Sequence, residues 1–106
     1  MKDDVIITLQ GDRLIAGICT DIDHHSAKNM REQIDNALFE RKPRVLVLDF
    51  SKVGFMDSSG LGLILGRAEK ASALGSSTVV VGLSPSLMKL VRLSGIDRVV
   101  NLSVTR

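Results

Sequence analysis

The run Val45-Leu46-Val47-Leu48-Asp49-Phe50 constrains the fold of this chain more than any other feature, because a strand this apolar has to lie in the interior of a sheet. It reads as a buried strand of the parallel type, and the flanking sequence supplies helices to cross over it. Ala27, Met30, Ile34, Ala37 and Leu38 mark one helical face that ends before Pro43. Leu61, Ile64, Leu65 and Ala68 recur at helical spacing after the strand, in a helix from about Ser58 to Ala73 closed by Gly75. Thr78 to Gly82 supplies another strand. Ser84-Pro85 starts a further helix, with Leu87, Leu90 and Val91 as its buried stripe and Gly95 as its stop. Val5 to Leu9 and Leu14 to Thr20 are β-rich runs joined by the hairpin connection Gln10-Gly11-Asp12-Arg13, and Val99 to Leu102 makes a last strand. The resulting order, ββαβαβαβ, is an α/β arrangement with parallel pairing and right-handed crossovers.

At 106 residues the chain is one domain, spanning 1–106, with room for a single core of two packed layers. Three Phe and no Trp or Tyr make that core aliphatic and leave no aromatic platform for single-stranded nucleic acid. The formal charge of +2, from 14 basic and 12 acidic side chains, gives direct nucleic acid binding little support. The cluster Arg41-Lys42-Pro43-Arg44 falls at a helix end, where cations offset the dipole. Cys19 is the only cysteine, which excludes an intramolecular disulfide and points to a reducing compartment; its position reads as a small core residue inside a strand. Met1-Lys2-Asp3-Asp4 is acidic where a signal peptide needs an apolar core, and no apolar run approaches the ~18 residues of a membrane span. The expectation is a soluble cytoplasmic protein with no membrane partner.

The stretch Phe55-Met56-Asp57-Ser58-Ser59-Gly60-Leu61-Gly62 places two hydroxyls between an apolar strand and an apolar helix. Asp57 and Ser58 sit where an N-cap belongs, beside unsatisfied amides at the positive end of a helix dipole. A phosphate on Ser58 would be tolerated there by its own helix, whereas a partner packed on the same surface would face roughly −1.5 to −2 of added charge. Local physics alone favours Ser58 as a plain cap over a phosphorylation site. Other chemistries fit poorly. The glycines from Gly60 to Gly66 lie about ten residues beyond the strand's end, too far for a dinucleotide fingerprint, and no Gly-Lys-Ser or Gly-Lys-Thr follows them. Gly62 and Gly66 read instead as small residues that let a helix lie close to the sheet. A hydrolase built from Ser58, His24 or His25, and one of Asp21, Asp23 or Asp57 lacks a nucleophile elbow. Cys19, His24 and His25 make a poor metal set, with no fourth ligand in evident reach.

The run from Asp49 to Arg67, with the turn Asp21-Ile22-Asp23-His24-His25 and the later Ser84-Pro85 and Ser94-Gly95-Ile96 segments, resembles the signature of bacterial anti-sigma factor antagonists of the sporulation type. These are single-domain members of the STAS superfamily, and the similarity runs from about residue 4 to residue 102. The resemblance implies a five-stranded, mostly parallel sheet with helices largely on one face. It also implies a partner switch: the unphosphorylated protein binds an anti-sigma factor that is also a serine kinase, and so frees a sigma factor. The kinase uses Mg-ATP to phosphorylate Ser58, a PP2C-type phosphatase reverses this, and the chain itself needs no cofactor and is no enzyme. The same likeness puts Asp23, Asp57, Ser58, Ser59, Gly60, Leu61 and Gly62 on the kinase-facing surface. An alternative within the superfamily is a constitutive scaffold or binding subunit of a stress or transport complex. The family's usual C-terminal helix has no counterpart after Ser103-Val104-Thr105-Arg106, so the expected state is a monomer or a weakly self-associating chain.

Overall fold

The computed structural model describes residues 4–103. Its elements are β1 (Val5–Gln10), β2 (Arg13–Ile18), α1 (His24–Arg41), β3 (Val45–Asp49), α2 (Ser58–Ala73), β4 (Ser77–Val81), α3 (Pro85–Ser94), a 3-10 turn (Ile96–Arg98) and β5 (Asn101–Ser103). The expectation that concerns a C-terminal helix falls beyond Ser103 and lies outside the described residues.

The five strands form one sheet in the order β1-β2-β3-β4-β5. β1 and β2 are an antiparallel hairpin, with Gln10 opposite Arg13 and Gly11 taking φ +62 at the tip. Every other pairing is parallel. As the alternation of runs requires, each parallel step is bridged by a helix. One face of the sheet presents Leu14, Ala16, Ile18, Leu46, Leu48 and Val80 to the buried residues of all three helices. On the opposite face Ile15, Val47 and Val81 form a separate, smaller cluster. The helices therefore pack on one side, as expected.

α1 buries Ala27, Met30, Ile34 and Leu38 along a single stripe and stops at Lys42, which adopts the left-handed conformation (φ 45) and donates its amide to the Leu38 carbonyl. α2 buries Leu63, Ile64, Ala68 and Ala71. Between the two helices, Arg67 is almost wholly buried and its Nε lies 2.7 Å from Asp35 Oδ1, an ion pair that links their inward faces.

Several expectations need correction. Leu65 is exposed and Leu61 only half-buried, because the stripe of α2 is centred on Ile64 and Arg67. Leu90 is exposed as well: α3 is only ten residues long and buries just Leu87 and Val91. A Cβ added at Gly62 or Gly66 would meet open space, so neither glycine mediates close packing on the sheet. Close approach occurs at Gly60, where a Cβ would lie 2.5 Å from Met56 Sδ and 2.8 Å from Met56 Cβ. The last strand begins at Asn101 and not at Val99, because the left-handed Gly95 leads into a 3-10 turn in which Val99 donates its amide to the Ile96 carbonyl. Cys19 lies just beyond β2, half-buried beside the helix-free face of the sheet, and so is not a core residue within a strand.

Candidate functional site

The site is set by one isolated parallel bridge between Ile22 and Met56. Ile22 donates its amide to the Phe55 carbonyl at 3.0 Å, and its carbonyl accepts from the Asp57 amide at 3.1 Å. One residue past each bridge partner stands an aspartate, and each aspartate caps a helix. Asp23 caps α1, accepting from the Ser26 amide at 2.8 Å, while the Ser26 hydroxyl accepts from the Asp23 amide to complete a capping box. Asp57 caps α2, accepting from the Ser59 amide at 2.7 Å. The bridge thus brings the N-termini of α1 and α2 together in register, with both dipoles opening onto one surface.

Asp21 locks this arrangement. Its Oδ1 accepts from the Gly54 amide at 2.8 Å and the Phe55 amide at 3.1 Å, so one carboxylate holds the loop ahead of α2 to the lead-in of α1. The three carboxylates of this region consequently have distinct tasks. Asp21 ties down a loop, and Asp23 and Asp57 cap helices. The Asp23 carboxyl is held below the usual aspartate range, chiefly by the hydrogen bond from the Ser26 amide.

Ser58 is the first residue of α2 and is exposed. Asp57 performs the capping, so the reading of Ser58 as the cap is corrected; among the described residues its hydroxyl makes no hydrogen bond. Of the other expected surface residues, Asp23 and Gly62 are exposed, and Asp57, Ser59 and Leu61 are half-buried. Gly60 does not face outward: it is buried against Met56, which is what lets the loop turn directly into the helix. Phe55 was missed by motif reading. Its ring is 60% exposed although its amide and carbonyl are both engaged, so a fixed backbone presents an apolar group to solvent beside Ser58. Nothing in the sequence marks it as outward-facing, since Phe50, five residues earlier, is fully buried.

His24 and His25 are exposed on the first turn of α1, and among the described residues no hydrogen bond links either of them to Ser58. No group of three His, Cys, Asp or Glu among the described residues is placed to hold a metal ion. No described helix is long and apolar enough to cross a membrane.

Comparison with known proteins accounts for this arrangement. The STAS domain family model matches residues 4–106. An anti-sigma F factor antagonist of Paenibacillus polymyxa is 35% identical over 86 residues, which are 81% of this chain and 74% of that protein. An anti-sigma F factor antagonist of Lysinibacillus sphaericus is 33% identical over 76 residues, 72% of this chain and 65% of that protein, slightly under two thirds of its length. Among solved structures, the Bacillus cell fate determinant SpoIIAA in its phosphorylated form superposes with a TM-score of 0.73 at 26% identity, covering 94% of this chain and 91% of that one. A family match over residues 4–106, relatives about a third identical over the aligned segments, and a shared fold agree: the chain belongs to the STAS domain family and, within it, to the anti-sigma factor antagonists.

Proposed function

We propose that the unphosphorylated chain binds an anti-sigma factor with serine kinase activity, that this binding frees a sigma factor, and that phosphorylation of Ser58 ends it. The observation that carries the reading is the setting of Ser58. It is an exposed hydroxyl with no hydrogen-bond partner among the described residues, on the first turn of a helix whose cap is supplied by its neighbour. A phosphoryl group can be added there without removing any hydrogen bond of the fold, and the helix dipole favours its charge. The partner surface comprises Asp23, Asp57, Ser58, Ser59, Leu61 and Gly62, with Phe55 as its apolar contribution. Aromatic side chains, Phe among them, are enriched in protein interfaces relative to the rest of the surface.

In this reading the chain acts in the cytoplasm as a regulator and as the substrate of two enzymes, the kinase with its Mg-ATP and a PP2C-type phosphatase, and holds no cofactor of its own. The test is paired affinity capture from the source cell with wild type and Ser58→Asp as baits. An ATP-binding anti-sigma kinase held by wild type and lost with Ser58→Asp is the expected result. Equal capture of the same complex by both baits would favour a constitutive scaffold.

A further inference from the structure

Between the N-terminal turns of α1 and α2 lies an open groove of about 390 Å³, lined by His24, Lys28 and Arg31 of α1 and by Ser59 and Arg67 of α2. Among the described residues no carboxylate lines it. Arg67 is nearly buried and ion-paired with Asp35, whereas Lys28 and Arg31 are exposed and, among the described residues, take part in no ion pair. Burial holds the Arg67 guanidinium below the usual arginine range; the charge of Arg31 pushes the same way, while Asp35 opposes them. Asp35 thus balances Arg67 from within the fold, whereas the charges of Lys28 and Arg31 beside it meet no carboxylate among the described residues.

We propose that this groove receives a carboxylate side chain of the kinase that docks over Ser58, and that the phosphoryl group of phosphorylated Ser58 disables docking by satisfying the same cations. The inference rests on the partner-switch reading above and names the chemistry of the partner surface. Lys28 and Arg31 stand three residues apart on α1, side by side on one face, and the groove continues into the first turn of α2 through Ser59. A protein carboxylate suits it better than free phosphate for a specific reason. The Ser26 and Ser59 amides, which a small anion would use at the helix ends, are already taken by Asp23 and Asp57, and these carboxylates repel a free dianion. Covalent attachment at Ser58, next to the groove-lining Ser59, offsets that repulsion by raising the effective concentration of the phosphate at the mouth of the groove.

Two measurements test the two halves, both with the variant Lys28→Gln/Arg31→Gln, whose changes lie on the surface and spare the Arg67–Asp35 pair. Calorimetric titration with the purified cognate anti-sigma kinase should show affinity about tenfold or more weaker than wild type, with a flatter dependence on ionic strength. Affinity within about twofold of wild type and an unchanged salt dependence would overturn the docking half, while a wild-type chain that binds no such kinase would remove the parent reading as well. In phosphorus NMR of the phosphorylated chain, the second ionisation of the phosphate should occur at lower pH in wild type than in the variant; coincident titrations would sink the second half. Saturable binding of inorganic phosphate to wild type, lost in the variant while kinase binding stays intact, would assign the groove to a free anion and against the proposal.

Discussion

Asp23 and Asp57 occupy equivalent places one residue beyond a shared bridge, and both spend their carboxylates on helix amides. For Asp23 this has a pH signature. Its hydrogen bonds from α1 stabilise the charged form, so its folded pKa lies below the ordinary aspartate value of about 3.9. The stabilisation is therefore fully present above that ordinary value and is lost as pH falls through the lower, folded one. We predict that the Asp23 carboxyl carbon titrates below the ordinary aspartate range and that the Ser26 amide resonance moves in the same transition. Titration at or above the ordinary value would show that the cap does not hold. That a cap stands at the start of α2 is legible in the sequence, because capping is a local act, but that Asp57 and not Ser58 supplies it is not. Nor is the task of Asp21, because the amides it holds lie 33 and 34 positions away.

At the scale of one element, α2 carries three glycines whose spacing suggests a common purpose, yet they differ in kind. Gly60 is pressed against Met56 and admits no side chain, whereas Gly66 has open space where a Cβ would stand. Gly60→Ala should therefore destabilise the fold by about 1–3 kcal/mol through overpacking at the base of the Ser58 turn. Gly66→Ala should stabilise it by about 0.5–1 kcal/mol, since alanine loses less freedom in a helix. Urea unfolding of the two variants decides this, and equal effects of the same sign would contradict the assignment. Helical periodicity marked the existence and ends of α2 well, because N-cap chemistry and the 3.6-residue repeat are written in neighbouring residues. It could not say which glycine touches another part of the chain. The same limit moved the start of β5 by two residues, where the apolar Val99 looked like strand but belongs to the turn that follows Gly95.

For the molecule as a whole, Ser58 is exposed and is not one of the buried residues on which the sheet and its helices pack. Phosphorylation should consequently leave the fold in place. Amide chemical shifts are expected to change in the loop from Gly54 to Asp57 and in the first two turns of α1 and α2, with β3, β4 and α3 unaffected. Broad shift changes across the sheet would mean that the switch works by rearrangement and not by charge at the surface. The sequence by itself determined the α/β class, the parallel strands and the place of Ser58 at the start of a helix, since each follows from periodicity, turn chemistry or local charge. Tertiary structure alone decided that the Ile22–Met56 bridge sets two helix N-termini side by side, that Asp21 holds their loop, that Phe55 faces outward, and that Arg67 meets Asp35 while Lys28 and Arg31 take part in no ion pair among the described residues. The physical reason is distance along the chain: capping and periodicity act over a few residues, whereas these contacts join segments about thirty residues apart that only the closed sheet brings together.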